Sequence, residues 1–136
     1  MKNFLSASVF FISVLGLFAL SSCEKEEGEG GTSSITGKVV VRQYNSNFTT
    51  LVEQYYAPDE NVYIVYGDDV VYGDKTSTNY DGTFKFDYLR EGNYKVFVYS
   101  EDSANYPTKK EIAVIREVKI TKRNQEITVN QIVILK

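Results

Sequence analysis

Asn79-Tyr80-Asp81-Gly82-Thr83-Phe84-Lys85-Phe86-Asp87-Tyr88-Leu89-Arg90-Glu91-Gly92-Asn93-Tyr94-Lys95-Val96-Phe97-Val98 is the stretch on which the fold turns. From Thr83 to Asp87 polar and apolar residues alternate, the period of a strand with one face buried. Asp81-Gly82 ahead of it supplies the positive φ of a tight hairpin. Gly92 after Leu89 lets the chain bend, and Tyr94, Val96 and Val98 then alternate again. Two strands joined by a short corner follow from these residues alone.

The same texture continues outward. From Ile35 to Lys136 short alternating runs are separated by Gly, Asp, Asn and Pro, and no amphipathic helical stretch with caps interrupts them. The spacing predicts strands at 35–44, 50–56, 62–66, 69–72, 83–88, 93–100, 111–120 and 125–135, with Pro58 in a loop ahead of Val62. About seven or eight strands in roughly a hundred residues match a two-sheet count. The expected fold is therefore all-β, a single antiparallel β-sandwich. Its core is expected to hold Val39, Val41, Val62, Ile64, Phe84, Phe86, Tyr94, Val96, Val98, Ile127 and Val129.

Ahead of this domain, Lys2 and then an apolar run from Phe4 to Leu20 have the layout of a secretory signal. The run is short and rich in Ser for a membrane-spanning helix, which needs about 20 apolar residues. Cys23 is the single cysteine, so no disulfide can form within the chain. Residues 24–34 carry acids, Gly, Ser and Thr without a large apolar side chain, the composition of a flexible tether. The expected division is a signal peptide at 1–22, a Cys and acidic tether at 23–34, and one domain at 35–136.

Composition narrows the chemistry. The chain has no His, and its formal charge of -3 becomes one unit more negative if residues 1–22, with their single Lys, are removed. Without His, the Ser and Cys triads lack their usual base. The mild acidity gives no footprint for nucleic acid. Asp68, Asp69, Asp74 and Asp81 are weak candidates for calcium or for a carboxylate pair acting on glycosides. Their spacing is not that of an EF-hand, and solvated turns explain them more simply. No catalytic residue, bound metal or cofactor is expected. Eleven Tyr with no Trp exceed what one small core can hold, so several are expected to face solvent, where Tyr suits contact surfaces.

Several of these residues carry resemblances. Leu20-Ser21-Ser22-Cys23 resembles the bacterial lipobox, which implies lipidation at Cys23 and a membrane anchor held by several acyl chains, at about 0.8 kcal/mol per buried methylene. Lys25-Glu26-Glu27 resembles the acidic export signal of Bacteroidetes-type lipoproteins, implying the outer face of the outer membrane; the periplasmic face is the alternative. Asp102-Ser103-Ala104 resembles the O-glycosylation motif of the same bacteria, which would place a glycan on Ser103.

Ile35-Thr36-Gly37-Lys38-Val39, Asn61-Val62-Tyr63-Ile64, Asp81-Gly82-Thr83-Phe84 and Leu89-Arg90-Glu91-Gly92-Asn93-Tyr94 together resemble the carboxypeptidase regulatory-like domain, a transthyretin-like (prealbumin-like) sandwich. The similarity spans nearly all of 35–136 and departs from the pattern at Gln43 to Ala57. Hydrolases of that fold rely on His, which this chain lacks. A Lys-Asn isopeptide link between Lys38 and Asn130 is disfavoured because Val96 stands where its Glu would be.

The function these readings imply is a membrane-anchored, non-catalytic binding or accessory module meeting a glycan, a protein or an outer-membrane complex. A pilin-like structural subunit donating the strand at 125–135 is the second reading. A carboxylate hydrolase is the third.

Overall fold

The computed structural model describes residues 26–108 and 110–136, and its spine is one long strand, β1 (Glu29–Tyr44). Along its first half β1 pairs antiparallel with β5 (Thr83–Leu89) and parallel with β8 (Glu126–Thr128). Along its second half it pairs antiparallel with β2 (Leu51–Tyr56) and parallel with β9 (Ile132–Leu135). A strand has two edges, so each half of β1 is flanked on both sides. The second sheet runs β4 (Asp74–Ser77), β3 (Asn61–Tyr66), β6 (Gly92–Glu101), β7 (Glu111–Ile120), all antiparallel. One turn of 3₁₀ helix, Ser103–Asn105, follows β6.

The fold is thus all-β and two-layered, as the alternation implies. Its first sheet is mixed rather than purely antiparallel, because the C-terminal chain runs alongside β1 in the same direction. That chain also divides in two: from Ile35↔Ile127 to Val39↔Ile132 it takes five steps where β1 takes four. The extra residue breaks the ladder at Val129 to Gln131, and the expected strand at 125–135 becomes β8 and β9.

Two further expectations are corrected. Residues 69–72 form no strand; Val70, Val71 and Tyr72 are exposed in a loop, and β4 instead starts at Asp74 and pairs with Asn61 to Ile64. The pairing partner, not apolar content, decides the strand. The boundary between tether and domain also lies earlier than Ile35, since β1 starts at Glu29 and Ser33 and Ser34 are buried. Ser33 earns its place through hydrogen bonds: its hydroxyl donates to Lys122 O at 3.1 Å and accepts from Gln125 N–H at 3.1 Å. Composition reads 28–34 as solvated, yet main-chain pairing needs no large side chain.

The core gathers Ile35, Val39, Val41, Val62, Ile64, Phe84, Phe86, Tyr94, Val96, Val98, Ile132 and Ile134 between the sheets, with Ile127 and Val129 half-buried against it. Full burial of such side chains contributes about 1.5–3 kcal/mol each. Gly37 is required by this packing, since a Cβ there would stand 2.6 Å from Phe84 Cζ and from Val129 Cγ2. The Gly-x-Val spacing of β1 therefore records an aromatic ring lying across the strand.

Candidate functional site

The two ends of β1 differ in kind. At the rise of an extended strand its 16 residues separate them by about 50 Å.

The end nearest the N-terminus is sealed by main chain and by Glu27, beside a depression of about 330 Å³ lined by Asp68, Asn93, Lys95, Glu117 and Lys119. Tyr94 is 1 % exposed, donates its hydroxyl to Arg90 O at 2.8 Å and accepts the Gly28 N–H at 3.0 Å. Arg90 N–H donates to Gly28 O at 2.9 Å. Glu27 lies over Gly92, where an added Cβ would meet its Cγ at 2.0 Å, and its Oε1 accepts from Asn93 N–H at 3.3 Å. Arg90 Nη1 reaches Glu26 O at 3.4 Å. Glu26 and Glu27, expected on a free tether as part of an export signal, therefore lie against the domain. Burial, then the charges of Glu29 and Asp74, push the hydroxyl of neighbouring Tyr66 from 10.0 up to about 12. Cys23 and Lys25 lie outside the described residues.

The far end is open. The hairpin loop between β1 and β2 is built on Asn45, whose Oδ1 accepts from Thr49 N–H at 2.9 Å and Thr50 N–H at 3.1 Å. Its Nδ2 donates to Thr49 Oγ1 at 3.0 Å. This cage holds Phe48 at φ 55°, a left-handed conformation that an aromatic residue rarely takes, and it costs on the order of 1–3 kcal/mol. The Phe48 ring is thereby set between Tyr44, at 6.0 Å between centroids, and Tyr106, at 6.1 Å edge-on. Glu101, Asp102 and Lys136 complete the walls of a cleft of about 210 Å³.

Asp102 caps the 3₁₀ turn that carries Tyr106. Its carboxylate accepts from Ala104 N–H at 3.0 Å and from the Asn105 amide. The Asn105 amide and the Ala104 N–H hold its carboxyl below the usual range. That is the wrong direction for a general acid, which must stay protonated near neutral pH. Opposite, Lys136 pairs with Glu60, and its main chain clamps β1 through Tyr44 N–H to Lys136 O at 2.7 Å. What the cleft presents is aromatic surface ringed by hydroxyls and carboxylate.

A second aromatic surface lies on the outer face of the four-stranded sheet. Tyr63 stacks on Phe97 at 5.1 Å, and Tyr72 and Tyr99 stand edge-on at 4.9 and 5.5 Å from Tyr63. Ile115 is the cross-strand neighbour of Phe97 and is exposed. Tyr72 and Tyr99 remain exposed on this face. The Tyr excess of the sequence is spent here and on the exposed Tyr55, Tyr56, Tyr80, Tyr88 and Tyr106.

The acids singled out from sequence are not brought together. Asp81 binds Thr83 through Oδ2 at 2.9 Å and Lys38 at 3.3 Å, and the Thr83 bonds hold its carboxyl low. Asp68 and Asp69 occupy an exposed turn, and Asp74 accepts from Lys75 N–H at 2.7 Å. Among the described residues no group of three or more His, Cys, Asp or Glu is placed to hold a metal ion. Lys38 spends its charge on Asp81 and on the face of Tyr56, 4.6 Å from the ring centroid, rather than on the exposed Asn130. Ser103 is exposed beside the cleft. Among the described residues no helix is long and apolar enough to cross a membrane.

Phe48, Glu101 and Lys136 were not legible as site residues. The one signal was Phe48 itself, an aromatic among Asn45-Ser46-Asn47 and Thr49-Thr50 that no strand alternation uses.

No protein-family model matches the chain, and no curated protein matches it. A crystal structure of a proposed carbohydrate binding protein from Pseudomonas aeruginosa is similar to it at 12% identity and a TM-score of 0.46, over 80% of this chain and 91% of that one.

Proposed function

We propose that the chain is a non-catalytic glycan-binding module of carboxypeptidase regulatory-like type, lipidated at Cys23 and displayed from the outer membrane. The observation that carries the binding reading is the far cleft. Three aromatic side chains meet there beside carboxylate and hydroxyl groups, and one of them, Phe48, is held in a costly backbone conformation. Sugars present apolar C–H faces and rings of hydroxyls, and an aromatic wall with polar rims complements both. The location fits display, because the cleft lies at the opposite end of β1 from the segment that leads to Cys23.

The test is retention of the full chain on an array of glucans, xylans, mannans and mucin-type glycans, followed by calorimetry on any that bind. Phe48→Ala and Tyr106→Ala are expected to lose at least tenfold in affinity while the melting temperature stays within a few degrees. Binding that survives both changes would overturn the assignment of the cleft. Release of the chain from membranes by Cys23→Ala tests the anchor separately, and protease shaving of intact cells tests which face it occupies.

The pilin-like alternative is less economical, since β8 and β9 already pair with β1 of the same chain. A hydrolase is third, because Asp81 is engaged by Thr83 and Lys38 while Asp68 and Asp69 lie in an exposed turn.

A further inference from the structure

The edges of the sheets are not equally protected. β9 is covered by side chains: Ser100 Oγ accepts the Leu135 N–H at 2.8 Å, and Arg116 Nη2 donates to Gln131 O at 2.9 Å just ahead of the strand. β7 carries Glu111, Arg116, Glu117 and Lys119, and β4 is only four residues long with Asp74 and Lys75. Charges and brevity are the usual ways of keeping an edge from pairing with another chain. β2, Leu51-Val52-Glu53-Gln54-Tyr55-Tyr56, has neither defence. It pairs with β1 alone, holds one charge in six residues, and is exposed on both faces along its whole length.

We infer that the free edge of β2 pairs with β2 of a second copy of this chain, forming a two-fold dimer with a continuous sheet. The sequence of the strand itself selects the partner and the register. A two-fold axis through an antiparallel pair keeps each residue on its own side of the sheet, so facing positions must differ by an even number. A register centred on Glu53 sets two carboxylates face to face, which is destabilising. The register centred on Gln54 avoids this. It sets Gln54 opposite Gln54, with amides able to donate to one another, and Val52 opposite Tyr56, a β-branched and aromatic pair of the favoured kind. Glu53 then faces Tyr55. Val52 is 65 % and Tyr56 50 % exposed, so this pairing covers apolar surface that the isolated chain leaves in water.

The antiparallel pairing also sets the two clefts apart. β2 begins directly after the loop that presents Phe48, and a two-fold axis at Gln54 reverses the strand direction, so the two loops lie at opposite ends of the paired strands, about eight residues or ~26 Å apart. The following measurement needs no glycan.

Sedimentation of the full chain in detergent, compared with Val52→Lys, tests the interface. The expected result is a parent dimer and a monomeric variant that melts where the parent does once diluted to monomer. Oxidative crosslinking tests the register, with the parent supplying the background from Cys23. Gln54→Cys is expected to crosslink several-fold faster than Glu53→Cys, because facing Cβ atoms lie about 4.5–5.5 Å apart and positions two residues out of register about 7–8 Å apart. A parent that sediments as a monomer overturns the proposal and leaves β2 to a foreign strand. Equal crosslinking at both positions overturns the register and with it the argument for a second copy.

Discussion

The two ends of β1 are made from the same strand and do opposite things. At the N-terminal end the chain closes on itself with glycines and main-chain hydrogen bonds: Gly28 to Tyr94 and Arg90, Gly31 against Leu89, Glu27 over Gly92. Beside this closure a depression of about 330 Å³ is lined by Asp68, Lys95, Glu117 and Lys119, charged side chains without an exposed aromatic ring. At the far end a side chain, Asn45, saturates the loop's main chain and leaves the neighbouring rings of Tyr44, Phe48 and Tyr106 turned into a cleft. Stability is concentrated where backbone meets backbone, and recognition where side chains are held apart. The comparison can be broken by substitutions at either end.

The largest effect is expected at Gly31. A Cβ there would stand 1.9 Å from Leu89 O, a distance no side chain can accept, and the obstacle is main chain rather than a flexible group. Gly31→Ala should cost about 3 kcal/mol, the upper range for overpacking, read as a shifted denaturation midpoint. Residues 26–30 should become accessible to protease at the same time. An unchanged midpoint would mean that 29–34 is a tether after all.

Tyr94→Phe is next. It removes the donor to Arg90 O and the acceptor of the Gly28 N–H while keeping the buried ring. A cost of about 2 kcal/mol is expected from the buried partners left unpaired. Glycan binding at the far cleft should be unaffected, and loss of both together would show that the ends are coupled.

Smaller effects separate the ends by pH. Burial raises Tyr66 from 10.0 to about 12, so the folded chain holds that proton more tightly than the unfolded chain does. The stability this gives is fully present below pH 10 and is lost as pH rises toward 12. Melting temperatures across that window should fall, and Tyr66→Phe should flatten the slope. Asp102 has the opposite sign. Its carboxyl is held low by Asn105 and Ala104, so its contribution is present above the ordinary carboxylate value and disappears as pH falls through the lowered one. Acid should therefore loosen the Tyr106 turn and weaken binding before the sandwich melts, and Asp102→Asn should remove that dependence.

Most of the fold was legible because alternation reports burial. Phe84 and Phe86, or Val96 and Val98, can only sit in a strand whose other face is polar, and the structure buries all four. What could not be read has the same physical root. Residues 28–34 have no large apolar side chain, so a pattern of side chains is blind to strand formed by main chain. At 125–135 one extra residue between Ile127 and Ile132 splits the strand, and parallel pairing with β1 depends on the path of the whole chain. The cleft was illegible for a third reason: Tyr44, Phe48, Glu101, Tyr106 and Lys136 come from three separate segments, and only closure of the two sheets brings them together.

Phe48 supplies the smallest stability change and the sharpest contrast. Glycine takes a φ of 55° without cost, so Phe48→Gly relieves the strain of the left-handed position while giving up the contacts to Tyr44 and Tyr106. The two changes oppose one another, and the net shift in stability should stay within about 1 kcal/mol. If the strain exists for recognition, glycan affinity falls at least tenfold in a chain that is no less stable than the parent. If instead Phe48 serves packing, the melting temperature drops while glycan binding is untouched. Thermal denaturation and calorimetry on the same variant separate the two, because a structural ring and a binding ring at this position respond in opposite ways.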